Sequence, residues 1–126
     1  MIRHLTSKDK VQLKKLIKIA SKEKMYIVKK KKHFFGYFID NKLVGIVGYY
    51  VLQNEKMIGF VHGYTLPEHR LKGIYRELSE YRLQYCKENY KGYSVFVTAN
   101  NKSKHQLEID GFQIIEPQYR MELLLN

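Results

Sequence analysis

Residues Arg70-Leu71-Lys72-Gly73-Ile74-Tyr75 join a strand-like run to a strongly helical one, and a junction of that kind leaves few folds open. Upstream, Met57 to Tyr64 is rich in β-branched and aromatic residues. Pro67, which has no N–H to donate, ends the ladder. Downstream, Ile74, Leu78, Tyr81 and Tyr85 recur at spacings of four, three and four, which places them on one helical face. A strand that enters a helix through a basic turn with one glycine presents unpaired backbone N–H groups and the positive end of the helix dipole. Arg70 and Lys72 add two cations. The local chemistry is that of an anion site, and a phosphate or pyrophosphate is its natural guest.

Such a junction needs a sheet and helices around it, and 126 residues supply enough chain for one core but not for two. One domain over residues 1–126 is therefore expected. A hydrophobic content of 44% argues against a disordered chain. Lys plus Arg number 23 against 12 acidic residues, and the resulting charge of +11 fits an anionic ligand, nucleic acid or an acidic partner. No apolar run approaches the roughly 18–20 residues of a membrane span. Lys14, Lys15 and Lys18 interrupt the first hydrophobic stretch, unlike the core of a signal peptide. Cys86, the single cysteine, offers neither an internal disulfide nor metal-ligand spacing, and its expected role is inert packing. The expectation is a cytoplasmic protein with no metal and no membrane contact.

Along the chain, Ile2 to Leu5 reads as a first strand, and Thr6 and Asp9 have capping-box spacing, with Asp standing for the usual Glu or Gln. Leu13, Leu16, Ile17 and Ala20 form the buried stripe of a first helix. Met25 to Val28 reads either as a second short helix or as a strand edge. Phe34–Ile39, Leu43–Leu52 and Met57–Tyr64 form a three-strand meander, with turn chemistry at Asp40-Asn41-Lys42 and a polar turn from Gln53 to Lys56. Glycines 45, 48, 59 and 63 inside these strands suggest bulges or close approach of a ligand or backbone. A long helix runs from about Gly73 to Asn89, then a strand over Tyr93–Ala99, a short helix over Asn100–Ile109, and strands over Gln113–Glu116 and Tyr119–Leu125. The last strand is apolar enough to pair across a homodimer or within a monomer. The order predicts an α/β (α+β) chain with a mixed, mostly antiparallel seven-stranded sheet flanked by about four helices.

Two motifs and this order resemble the GNAT family of N-acetyltransferases, and the resemblance spans nearly the whole chain. The family's phosphate loop, Gln/Arg-x-x-Gly-x-Gly/Ala, stands here as Arg70-Leu71-Lys72-Gly73-Ile74-Tyr75, preceded by Pro67-Glu68-His69. The second motif is an asparagine closing a strand before a short helix that ends in Gly-Phe, matched by Asn100-Asn101-Lys102-Ser103 and Asp110-Gly111-Phe112. The sequence departs from the family pattern at Tyr75, where the loop usually ends on a small residue, and at Leu107, where many members carry a tyrosine that protonates the departing thiolate. The resemblance implies a GNAT fold, acetyl-coenzyme A as cosubstrate, and direct attack of a primary amine on the thioester. It also assigns roles. The backbone N–H groups of Leu71, Lys72, Gly73, Ile74 and Tyr75, with the side chains of Arg70 and Lys72, would hold the pyrophosphate. The pantetheine arm would pair along the strand ending at Tyr64–Leu66, with the Leu66 N–H on the thioester oxygen and Asn100 on the opposite wall.

For proton transfer the candidates are His62 and Glu68 as bases and Tyr64 and Tyr119 as acids in place of Leu107. His62 and Tyr64, two residues apart on one strand, share a face. In this fold the Lys29-Lys30-Lys31-Lys32 run with His33 would border the acceptor entrance and favour an acidic acceptor over a polycation. Two other readings stand beside the enzyme. One is a regulatory module that binds an acyl-coenzyme A without turnover. The other is a small basic nucleic-acid-binding domain, which would not need the strand–loop–helix junction.

Overall fold

The computed structural model describes residues 1–98, 104–115 and 120–125. The elements are β1 (Ile2–His4), a 3-10 turn (Ser7–Asp9), α1 (Lys10–Lys22), β2 (His33–Ile39), β3 (Lys42–Leu52), β4 (Met57–Thr65), a second 3-10 turn (Pro67–His69), α2 (Ile74–Asn89), β5 (Ser94–Thr98), α3 (Lys104–Ile109), β6 (Gln113–Ile114) and β7 (Arg120–Leu124). The seven strands form one sheet in the order β1-β2-β3-β4-β5-β7-β6. β4 and β5 run parallel, while β1–β2, β2–β3, β5–β7 and β6–β7 are antiparallel. A parallel neighbour requires a crossover, and α2 supplies it. No helix among the described residues is long and apolar enough to cross a membrane.

Contacts divide the chain into two compact units, Met1–Tyr49 with His62–Gln84, and Tyr50–Val61 with Tyr85–Asn126. The first unit buries Leu13, Leu16 and Ala20 of α1 against Phe34, Phe38, Ile46 and Tyr64 of the sheet, with Ile17 half-buried beside them. That is the stripe the 3.6-residue period selects. The 3-10 turn that leads into α1 is capped as the spacing predicts: the Thr6 hydroxyl accepts from the Lys8 N–H, and the Asp9 carboxylate accepts from the Thr6 N–H at 2.8 Å. The helix ends in a Schellman motif. Lys24 adopts φ +61, Met25 N–H donates to Ala20 O and Lys24 N–H to Ser21 O, both at 3.0 Å. Asp40 and Asn41 at φ +50 and +65 make the tight β2–β3 hairpin, a conformation that short Asx side chains tolerate.

Met25 to Val28 is neither helix nor strand. The Schellman turn redirects the chain, and only Ile27 reaches the core, while Met25, Tyr26 and Val28 are exposed. Among the described residues there are accordingly three α-helices. On α2 the buried positions are Ile74, Leu78, Arg82 and Cys86, not the 74/78/81/85 stripe expected from the sequence; Tyr81 is exposed and Tyr85 half-buried. Arg82 can take a buried position because its Nη1 donates to Gly48 O at 2.8 Å. Tyr81 remains at the rim, edge-on to Phe35. Leu78 is fully buried, so Leu78→Ala is expected to destabilise the protein by about 3 kcal/mol in chemical denaturation.

Side chains close over two of the strand glycines. A Cβ on Gly59 would lie 2.1 Å from the Tyr50 ring, and one on Gly63 would lie 2.2 Å from the Tyr75 ring. The register of β2 on β3 shifts between Tyr37 and Phe38, whose partners are Gly45 and Leu43, so Val44 is an extra residue and a bulge does sit beside Gly45. His62, with φ +57, is a second irregularity, next to Gly63.

In the second unit β7 lies between β5 and β6, with Ser94 opposite Leu124 and Gln113 opposite Glu122. β5 pairs along the whole of β7, and β6 covers Met121 and Glu122 on its other side. α3 closes with Phe112 N–H on Leu107 O at 3.0 Å, and Phe112 is buried against Phe60. Cys86 is fully buried.

Candidate functional site

Nothing in the local sequence obliges the chain to fill the space in front of α2, and it does not. A Cβ on Gly73 would meet no atom within 4 Å. Gly73 has φ +77 and Leu71 φ +64, so the backbone turns twice through the left-handed region before the helix begins. Leu71 is a large apolar residue with its side chain fully in solvent. That conformation costs on the order of 1 kcal/mol for a residue with a Cβ, and strain of this kind gathers where backbone geometry serves a ligand. The first backbone bond of α2 runs from Glu77 N–H to Gly73 O at 3.0 Å. The N–H groups of Gly73, Ile74, Tyr75 and Arg76 thus precede the helical ladder and sit at the positive end of a 16-residue helix. The Arg76 amide was not among the residues expected from the motif; counting back from the first helical bond identifies it.

The loop side chains divide their tasks. Ile74 is buried and packs toward Gly45, so only its amide is available to a ligand. The Tyr75 ring turns back over Gly63 of β4, which clears the loop despite its bulk. Lys72 is exposed. Arg70 does not extend freely toward the loop. Its Nε donates to Thr65 O at 3.0 Å, Nη2 and Nη1 donate to the two carboxylate oxygens of Glu23 at 2.8 and 3.1 Å, and the guanidinium lies 5.3 Å from the centre of the Tyr64 ring. Glu23 in turn accepts from the Tyr64 hydroxyl at 2.5 Å. Arg70 draws the Glu23 carboxyl below its ordinary range, and Tyr64 adds to that. Tyr64 is pushed up to about 12, first by burial and then by the Glu23 carboxylate, so its phenol is protonated at neutral pH.

Glu23 was not anticipated. It lies 47 residues from Arg70 in sequence, and no local motif marks it. Its place at the end of α1 follows from the Schellman turn.

Of the proposed bases, His62 is half-buried and stacked on Phe34, and its Nε2 accepts from the Val28 N–H at 3.4 Å. Burial, then the charge of Lys32, lowers its pKa, so the imidazole is neutral at pH 7 with its proton on Nδ1. It faces the same core as Tyr64, as the two-residue spacing predicts, although the left-handed turn at His62 interrupts the strand. Glu68 is exposed on the 3-10 turn, and its charge reaches the Tyr64 hydroxyl.

The Leu66 amide needs correction as an oxyanion donor: it donates to Val44 O of β3 at 2.9 Å. The 65–66 peptide is oriented by the sheet, so its N–H points to β3 and its carbonyl to the other edge. Asn100 and Tyr119 lie outside the described residues. The lysine run comes close to the proposed base: the charge of Lys32 reaches His62, and the Val28 N–H just before the run is on its Nε2. Lys29 and Lys32 line a cavity of about 180 Å³ with His4, Thr6 and His33, at the start of α1. The Arg70 loop meets the other end of that helix, about 20 Å away along its axis. Among the described residues no group of three or more His, Cys, Asp or Glu side chains converges as a metal site would require.

The model of a family described as the acetyltransferase (GNAT) family matches residues 3–109. Among solved structures the chain is similar to Tetrahymena GCN5, with a TM-score of 0.75, 12% identity, and 100% of this chain and 96% of that one covered. It is also similar to a GNAT-family acetyltransferase from Brucella melitensis in complex with acetyl-CoA, with a TM-score of 0.73, 14% identity and coverage of 100% and 88%. The GNAT-family N-acetyltransferase YhbS from Escherichia coli in complex with CoA has a TM-score of 0.70, 15% identity and coverage of 100% and 81%. At these identities the likeness is one of fold. No curated protein sequence matches the chain. The family match runs from within β1 to the end of α3 and takes in the whole β4–loop–α2 junction, and on that extent this chain belongs to the acetyltransferase (GNAT) family.

Proposed function

We propose that the protein transfers an acetyl group from acetyl-coenzyme A to a primary amine by direct attack of the amine on the thioester carbonyl. The observation that carries this reading is the loop ahead of α2. Its donors are backbone amides, its Gly73 side is open, and two residues hold it in a conformation that has no packing purpose. A coenzyme diphosphate fits that donor set: the amides of Gly73 to Arg76 would take its oxygens, with Lys72 and Arg70 as nearby cations. Binding there holds the thioester for the amine and removes translational freedom from the attack.

In the reaction the amine nitrogen bonds to the carbonyl carbon, the C–S bond breaks, the nitrogen loses a proton and the thiolate gains one. His62, neutral at pH 7, is suited to accept the first proton through water once its Nε2 gives up the Val28 N–H, so the acid limb of the rate should lie below the ordinary histidine value of 6.5. Tyr64 is suited to supply the second once its hydroxyl turns from Glu23 to the sulfur, because a phenol raised to about 12 stays protonated throughout the working range. Tyr64→Phe is expected to lower kcat by roughly 100-fold or more with coenzyme A affinity within about threefold of wild type. An unchanged kcat would pass the role to another group, Tyr119 first.

The direct test is thiol release from acetyl-coenzyme A over a panel of primary amines. Coenzyme binding without turnover on any amine would favour the second reading, a coenzyme-binding regulatory module. The observation behind that reading is Leu107, half-buried in α3 with no group to protonate a thiolate. No binding at all would sink both.

A further inference from the structure

We propose that Glu23 is a positioning residue for the coenzyme loop: its carboxylate holds the Arg70 guanidinium across the end of β4, on the side away from β3, and a coenzyme diphosphate binds by drawing Arg70 away from it. The proposal rests on the acetyl-coenzyme A reading above.

The geometry begins with the 65–66 peptide. Its N–H is bonded to Val44 O at 2.9 Å, so its carbonyl points to the edge of β4 away from β3. Arg70 Nε is on that carbonyl at 3.0 Å. The guanidinium therefore lies along the strand edge where an amide-rich arm would pair as an added strand. Glu23 fixes it there with two further bonds, and the Tyr64 hydroxyl fixes Glu23. The Schellman turn at Lys24 sets the direction from which Glu23 arrives.

In this arrangement the cation next to the phosphate loop is already neutralised, and it covers the edge next to the loop. The pair is also easy to exchange. Both side chains are about 40% exposed, at 41% and 40%, and exposed ion pairs hold weakly. A guanidinium fork that matches a carboxylate matches a phosphate equally well, and a diphosphate carries more charge. Exchange would uncover the β4 edge and leave the Glu23 carboxylate with the Tyr64 hydroxyl as its remaining partner.

The test is a double-mutant cycle read by calorimetry with coenzyme A on wild type, Glu23→Gln, Arg70→Met and the double variant. Glu23→Gln is expected to tighten binding about three- to fivefold, because Arg70 is released beforehand. In the Arg70→Met background the same change is expected to have no effect. Equal affinities for wild type and Glu23→Gln would overturn the proposal and leave the coenzyme reading intact. An equal gain with and without Arg70 would also overturn it, since Glu23 would then act only as a nearby negative charge. If none of the four proteins binds, the coenzyme reading and this proposal fall together. Should the Arg70 variants fail to fold, the wild type still decides the matter. With carbon-13-labelled tyrosine, the Tyr64 ring signal is expected to shift when coenzyme A is added, and a static signal counts against exchange.

Discussion

Gly73→Asp is expected to weaken coenzyme A binding by roughly 100-fold while leaving the fold nearly intact. The two effects separate because of what surrounds this position. No atom lies within 4 Å of the added Cβ, so there is no steric penalty. The φ of +77 costs an L-residue about 1 kcal/mol, and aspartate tolerates that region better than most. The new carboxylate, however, sits at the helix start and accepts from the same early amides that a phosphate would use. It also repels the incoming diphosphate. One negative charge about 5 Å from two others, at an effective dielectric between protein surface and water, is worth about 3 kcal/mol, which is the stated loss. Gly73→Ala carries the same backbone strain without the charge and serves as the control. Calorimetry with coenzyme A checks the affinities and a thermal melt checks the fold. Unchanged binding by Gly73→Asp would remove this loop from the coenzyme site.

Asp9→Asn is expected to lower stability by about 2 kcal/mol at pH 7, a fall on the order of 10 °C in Tm. The buried Asp9 carboxylate receives both arms of the Arg3 guanidinium at 2.8 Å and the Thr6 N–H at 2.8 Å. The Arg3 bonds come first among the causes that hold its pKa at about 2, against an ordinary 3.8. Because the folded value is the lower one, the stabilisation is fully present above the unfolded value and disappears as pH falls through about 2. Wild type should therefore lose this contribution between about pH 4 and pH 2, and the two proteins should converge at the acid end. Denaturation midpoints measured across that range check the sign. A constant difference down to pH 2 would show that Asp9 contributes through packing and the helix cap rather than through its charge.

The legible parts of the fold were those with short-range causes. The Thr6–Asp9 cap, the Asp40–Asn41 turn and the α1 stripe follow from residues within one or two turns of each other, and each was found within a residue or two of its expected place. The α2 stripe failed because periodicity counts apolar residues. Arg82 is charged by composition but buried by virtue of a carbonyl on β3, and Tyr81 is apolar by composition but held at the rim. Met25 to Val28 failed for a similar reason. A run of apolar residues suggests an element, yet here one of them, Ile27, anchors a coil.

The candidate site was legible in the same uneven way. The loop announces itself because a glycine between basic residues at a strand–helix junction has local meaning, and even the bulk of Tyr75 is resolved nearby by Gly63. The orientation of the Leu66 amide depends on which strand lies beside it, and the end of α1 near which the lysine run sits depends on how residues 23–32 return to the sheet. Neither is written in a window of a few residues.

By itself the amino-acid sequence determined the strand–loop–helix junction, the order of elements and the caps, because these follow from backbone sterics and from donors and acceptors close along the chain. Only the tertiary structure decided what Arg70 does when no ligand holds it. Glu23 and Tyr64 reach it from 47 and six residues away in sequence, and the packing of α1 against β4 is what brings a carboxylate, a phenol and a guanidinium within hydrogen-bond distance.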